Sequence, residues 1–493
     1  MGRRDALLRL SIMAALLLGG AMAPVFAADV KNLSVTVSSG TQANAYGGYT
    51  IEEGASALQN ALTLSGPAKV LGASAGGWSR WGNAEWNTLT IRLDEDGLLG
   101  PSDIVGGGVA ESEGGGAAVH NTVYIESGTV EGTVEGGVAV GINGVGDGTG
   151  DVLSNQVTMS GGTVYSVFGG ETGEGNANDN VVTIKGSAAV TGKSNAVYGG
   201  YTIDGNASGN IVNIEDDADI HGEIMGGYTR AGSLISGNKV NVTGGNVNEN
   251  TVYGVYTAYG DVLDNQAVIK GTGQAGSSDT NSVYAGFTNI GAAAGNILYI
   301  QDSAEIAGSA FAGYQGGFIS SETVERNQVF MSGGSVGGDL TGGGSNNGGE
   351  TLNNYVEITG GTVSGNVYSG FTDSADALEN TLTVAGGRVE GSLFGGYSNT
   401  GTANENKLTF SAGTARSDAY GGYAQEGADG NEAVLSGTSV LEGNATGGSS
   451  ARGEASGNSL TIKENSEVKG DAAGGDVYMG TISKNIITIQ YNA

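Results

Sequence analysis

Cysteine is absent from the 493 residues, proline occurs three times and histidine twice, as His120 and His221. Without thiols the chain has no disulfide framework, no thiolate metal site and no cysteine nucleophile. Two imidazoles exclude a histidine-rich metal centre. Scarce proline also excludes collagen, although 94 residues are glycine. Basic residues are few, 20 against 51 acidic, for a formal net charge of −31. Such a chain repels nucleic acid and anionic lipid, so neither is an expected partner. No stretch after the first thirty residues is apolar enough to span a membrane as a helix, and none carries a sustained 3.6-residue apolar period.

The N-terminus has the three parts of a secretory signal. Arg3, Arg4 and Arg9 form a basic start, Leu10–Ala23 is apolar or small, and Val25 and Ala27 occupy the −3 and −1 positions of a peptidase cut. The apolar run is short for a membrane span of about 20 residues. We therefore expect residues 1–27 to be a signal peptide and residues 28–493 to form the mature chain. Removing Arg3, Arg4, Arg9 and Asp5 leaves 17 basic and 50 acidic residues, a net charge of −33. The expected location is beyond the inner membrane, at the cell surface, in the outer membrane or outside the cell.

One phrase recurs through the rest: Asn, any residue, an aliphatic, any residue, an aliphatic, often followed by Gly. It reads NTVYIESG at Asn121, NVVTIKGS at Asn180, NKVNVTGG at Asn238, NYVEITGG at Asn354 and NIITIQYN at Asn485. Weaker copies begin at Asn32, Asn60, Asn87, Asn265 and Asn431. Seventeen anchors run from Asn32 to Asn485 with a mean spacing of about 28 residues. A second phrase lies between anchors, as AYGGYT at Ala45, VYGGYT at Val197, VYSGFT at Val367 and LFGGYS at Leu393. A third piece, GGTV or GGSV, often follows the anchor, as at Gly161, Gly333 and Gly360.

In NTVYI, Asn121, Val123 and Ile125 share one face, and Thr122 and Tyr124 the other. That alternation predicts a half-buried strand. One strand per repeat cannot bury its own face, so successive repeats must stack and pair in parallel. The predicted fold is all-β, a parallel β-helix or solenoid of about 17 repeats with two or three short strands each. Val123, Ile125, Val182, Ile184, Val240, Val242, Val356 and Ile358 should be buried. Equivalent Asn side chains should stack and bond one another or the turn backbone, and the Tyr and Phe of the second phrase should stack likewise. Phasing of this kind distinguishes the chain from a disordered glycine-rich polymer. It is weakest over Gly136–Asp151.

Chemical motifs are few. Gly72-Ala73-Ser74-Ala75-Gly76 and Gly333-Gly334-Ser335-Val336-Gly337 match the nucleophile-elbow pattern, and Gly271–Gly276 matches a dinucleotide fingerprint. None precedes a helical pattern, so the two elbow matches read as repeat corners and the fingerprint, followed by another repeat strand, as an accidental match. Acidic groups at Asp94-Glu95-Asp96 and at Glu215-Asp216-Asp217 with Asp219 lack the spacing of a calcium loop and read as hydrated turns. Trp78, Trp81 and Trp86, with Arg80 between the first two, hold every tryptophan. Exposed indoles can stack on sugar rings; plugging a wide or terminal part of the core is the reading favoured by sequence. No catalytic, cofactor-binding or metal-binding residue is assigned, and no cofactor is expected.

Signal segment, absent cysteine, acidic charge and Gly/Asn-rich repeats together resemble the passenger region of bacterial autotransporter adhesins. The likeness covers most of residues 30–493, without the C-terminal translocator barrel that such proteins carry. It implies a parallel β-helix displayed outside a Gram-negative cell. Contacts with host or bacterial surface glycans or proteins, and a separate outer-membrane translocator, would follow. The leading expectation is a non-enzymatic adhesin-like or structural surface protein. A polysaccharide-degrading β-helix enzyme is the alternative, and a truncated, nonfunctional adhesin fragment a third. The final strand, Ile486–Gln490, is expected to template pairing with another strand.

Overall fold

The computed structural model describes residues 29–490, apart from positions 102–103, 112–114, 142–146, 194–195, 249, 277–280, 318–320 and 347. The proposed signal segment, residues 1–27, lies outside the described residues. Every regular element among the described residues is a β-strand, and the pairings between strands are parallel. The chain divides into two compact units, residues 1–230 and 231–493. Each is a β-solenoid, and together they wind about 16 turns.

A turn near the middle of the second unit shows the pattern. A two-residue corner strand, Ala377–Leu378, leads to Glu379, whose φ is +54°. Asn380 follows, fully buried, and opens the anchor strand Thr381–Val389. In most turns that strand is interrupted by a tight turn, so that a separate two-residue bridging strand follows, such as Thr362–Val363. Next comes the strand of the second phrase, Leu393–Ser398, and the cycle restarts at Ala403–Asn404. Four short strands per turn exceed the two or three expected from sequence. The corner strand escapes notice because two residues cannot display an alternation.

The anchor strands bury the expected face: all eight Val and Ile named above are at most 1% exposed, while Tyr124, on the opposite face of its strand, is 43% exposed. Equivalent residues pair turn upon turn, as Leu382 with Leu408 and Val384 with Phe410. Asn32 departs from expectation. The pairing of Ser34 with Ala61 puts Leu33, not Asn32, opposite Asn60. Asn32 instead has φ +57°, the conformation that precedes the anchor in the following turns, and asparagine tolerates it well. Gly136 and Gly137, in the weakly phased stretch, continue the glycine pair of the second phrase within strand Thr129–Val140; positions 142–146 lie outside the described residues.

The anchors form a buried ladder within each unit. In the first unit Asn87 donates its N–H (2.9 Å) and its Nδ2 (3.0 Å) to Oδ1 of Asn121. Its second Nδ2 hydrogen goes to the Ala57 carbonyl at 2.9 Å, and its own Oδ1 accepts from Asn60. In the second unit Asn354, Asn380, Asn406, Asn431 and Asn458 repeat the arrangement. Each interior amide thus uses both donors and both acceptor sites, which a buried amide requires. The second glycine of each pair lies directly over this amide: a Cβ on Gly396 would sit 2.3 Å from Asn406 Cγ. Val255 is the exception, and there the bond from Asn265 Nδ2 to the Ile235 carbonyl stretches to 3.3 Å.

Candidate interaction surface

The second-phrase strands carry the longest rows of stacked aromatics, and a shorter row of Tyr299, Phe330 and Tyr355 lies on the anchor strands. The two glycines break strict alternation, so residues three apart, such as Tyr198 and Tyr201, both face outward. Parallel register then aligns them into two rows. In the first unit Phe168 stacks on Tyr198 at 4.9 Å and Tyr201 on Tyr228 at 4.8 Å, with rings within 6° of parallel. In the second unit one row runs Tyr368, Phe394, Tyr420 and the other Phe371, Tyr397, Tyr423, with centroids 4.9–5.5 Å apart. Rings of the two rows meet edge to face, as Tyr368 with Phe371. Because the faces are taken up by neighbouring rings, several of the rings are buried, Tyr198 and Phe394 at 1% and 8% exposed.

Burial raises the pKa of several phenols in these rows, with nearby carboxylates adding to the effect. Tyr201 is pushed up to about 12 by burial, then by Tyr228 and Glu171; Tyr314 reaches about 12 by burial, then by Asp373. Tyr198, Tyr368 and Tyr420 are raised further for the same leading reason. These five phenols therefore stay neutral at physiological pH. Tyr420 donates to Asp418 at 3.1 Å, and Tyr368 accepts from Asn366 Nδ2 at 3.0 Å.

Two carboxyls interrupt the rows in the first unit. Register sets Glu135 in the slot that Phe168 fills one turn later, and Glu171 in the slot of Tyr201. Glu135 is fully buried; Glu171 keeps some exposed surface, but its carboxyl is enclosed and bonds that of Glu135. Burial pushes Glu171 up to about 7, against the hydrogen bond from Glu135, which pulls the other way. The sequence reading missed this pair. Aligning VEGGVA and VFGGET on the glycine pairs would have revealed two acids in aromatic slots.

Of the three tryptophans, Trp78 is buried, 7% exposed in an apolar cluster with Ala75, Val109 and Val138, and the other two are not. Trp78 lies in the outward row against Tyr46 and Tyr49, and its Nε1 donates to Glu111 Oε1 at 2.8 Å. Arg80 lies 5.8 Å over the Trp81 ring. Trp86 is 56% exposed on the corner, its ring stacked on His120 at 4.1 Å. The expected burial holds for Trp78 alone, because the turn sets Trp81 and Trp86 at separate outer positions.

The remaining motifs fall into the repeat. Ser74 is fully buried at the start of strand Ser74–Ser79, a strand position where a corner was expected. Ser335–Val336 is a bridging strand following the left-handed Gly334, and Gly271 is the left-handed residue of a turn leading to strand Gln274–Gly276. Asp216 and Asp302 take that same left-handed turn position, and each caps the backbone N–H of the preceding turn, at Gly186 and Gly271. Asp219 pairs with His221 Nε2 at 2.9 Å in an exposed contact. Among the described residues no three His, Asp or Glu are arranged to hold a metal ion, and no helix is long and apolar enough to cross a membrane. Against protein families, curated proteins and solved structures alike, the chain finds no match.

Proposed function

We propose that this protein is an exported, surface-displayed structural or adhesin-like protein without enzymatic activity, whose outer positions contact glycans or proteins of a host or neighbouring cell. One observation carries the reading: the inward slots repeat almost unchanged while the outer corner slot before the anchor varies. The position before the anchor holds Gln59, Trp86, His120, Ser154 and Asp179 in successive turns of the first unit. A fixed scaffold bearing varied outer groups suits many weak contacts, whose avidity depends on display. Export follows from the signal pattern of residues 1–27 and from the resemblance to autotransporter passengers, with a separate outer-membrane translocator as partner. Cell fractionation and N-terminal sequencing should find the chain beyond the inner membrane, beginning at Ala28. Beads coated with it should adhere to cells above a coating control. Cytoplasmic retention with no adhesion would refute the reading.

The Glu135–Glu171 pair is the one feature that favours an enzyme instead. Glycosidase carboxyls stand about 5–5.5 Å apart when retaining and about 6.5–9.5 Å when inverting. Two carboxyls in direct hydrogen bond are closer than either, which supports a structural role. Polysaccharide turnover abolished by Glu171→Gln would reverse that conclusion.

A further inference from the structure

The residue before each anchor adopts a left-handed backbone, with φ between +54° and +69° in the turns that carry an Asn anchor. Glycine or a short or flexible polar residue fills this slot in nearly every turn. At Trp86 the slot holds the bulkiest side chain available, at φ +58°. A left-handed conformation costs a residue with a Cβ roughly 1–2 kcal/mol, and for a bulky residue it marks an outlier. Core packing does not account for the choice, since Trp86 is 56% exposed. One ring face rests on His120, at 4.1 Å and 25°. The indole has one face covered by His120, the other toward the exposed Gln59 one turn before, and more than half its surface in water. Polar groups border it. Glu85 adjoins it in the chain, accepting from Asn83 Nδ2 at 2.8 Å. Ser154 lies one turn beyond His120.

We propose that Trp86, backed by His120, is a sugar-binding platform that takes one ring of a neutral or N-acetylated glycan. The apolar C–H face of a pyranose matches an exposed indole, and its hydroxyls match the amide and carboxylate beside it. A protein partner needs about 800 Å² of complementary surface on each side, far more than one indole supplies. Glu85 and the acidic chain disfavour sialylated or sulfated sugars. His120 fixes the ring plane by stacking and is a positioning residue. The inference rests on the adhesive reading above and names the ligand class for it.

The test is a glycan array bearing neutral, N-acetylated, sialylated and sulfated structures, probed with the full chain. Retained glycans are then measured by calorimetry against Trp86→Ala, Trp86→Phe and Trp81→Ala. Retention of neutral or N-acetylated glycans is expected, weakened at least tenfold by Trp86→Ala, partly restored by Trp86→Phe and unchanged by Trp81→Ala. The thermal melt of Trp86→Ala should match that of the parent, because an exposed side chain is removed. Absence of neutral and N-acetylated binding, preference for anionic glycans, or equal binding by Trp86→Ala would overturn the proposal. Cell adhesion separates the two readings. Adhesion that survives both Trp86→Ala and periodate removal of glycans overturns the sugar site and leaves the adhesin reading standing. Loss of adhesion by the parent chain itself overturns both.

Discussion

Replacing Asn380 by alanine cuts the ladder in the middle of the second unit. The Asn354 N–H loses its acceptor at 3.0 Å, and Asn354 Nδ2 loses the same oxygen at 2.9 Å. The Thr351 carbonyl loses its Nδ2 donor, while the backbone N–H of residue 380 still reaches Asn406 Oδ1. Two buried donors are thus stranded, at about 1–3 kcal/mol each, and the Thr351 carbonyl is left with only its ladder bond from the Leu378 N–H. They are neighbours and share one relaxation, so we expect a combined loss of about 3–5 kcal/mol rather than the full sum. Solenoids open locally, so the sharpest assay is hydrogen exchange, read on peptides covering residues 350–384. At about 1.4 kcal/mol per decade, exchange there should quicken by two to three decades, with little change at residues 239–269. Asn380→Asp keeps one acceptor but turns a carboxylate toward the Thr351 carbonyl and Asn406 Oδ1. Its folded-state pKa should therefore lie above the unfolded value, so that this variant gains stability relative to its parent as pH falls. A loss below about 1 kcal/mol for Asn380→Ala, with no local quickening of exchange, would refute the claim that the ladder holds the turns together.

Gly396→Ala should destabilise by about 1–3 kcal/mol, because its Cβ meets a buried amide; Gly395→Ala should cost less, as Ala285, Ala312 and Ser369 occupy its slot elsewhere, and denaturant midpoints of the two variants give the order. Phe394→Ala removes a ring that is 8% exposed and stacked on both sides, so its melting temperature should fall by the equivalent of about 2–4 kcal/mol, whereas Tyr165→Ala, half exposed, should stay within about 0.5 kcal/mol of the parent. Glu171 has its folded pKa raised to about 7, so the native state holds a proton that the unfolded chain releases near pH 4.3. Its contribution is complete below that value and is lost as pH rises through about 7, by at most about 4 kcal/mol. Denaturant midpoints measured from pH 4 to pH 8 should show that decline, and Glu171→Gln should abolish it.

Where side chains alternate strictly, sequence was enough: the buried Val and Ile of the anchor strands follow from period 2 alone, and the stacked Asn from their recurrence. Leu33 shows the limit. The first anchor slot could be placed only by the register of Ser34 on Ala61, since Asn32 is itself an asparagine beside the slot. Glu135 and Glu171 were hidden for a related reason: an outward slot is defined by its partners in adjacent turns, not by its neighbours in the chain. Trp86 was misjudged because composition conveys how much aromatic surface exists and says nothing of which side of a left-handed corner it occupies.

The asparagine ladder has a genetic consequence. Each link joins like to like, and sequence separation between linked anchors ranges from 25 to 34 residues without altering the bond pattern. The junction between any two turns therefore presents the same donors to the same acceptor. Deleting or duplicating one whole turn inside a unit brings together an Asn and an Asn that already fit. Recombination between repeated coding segments can thus lengthen or shorten the array in register, while an indel of any other size must be absorbed by a loop. Turn number becomes a heritable variable decoupled from the core, and the outer residues carried by each turn are gained or lost as a block.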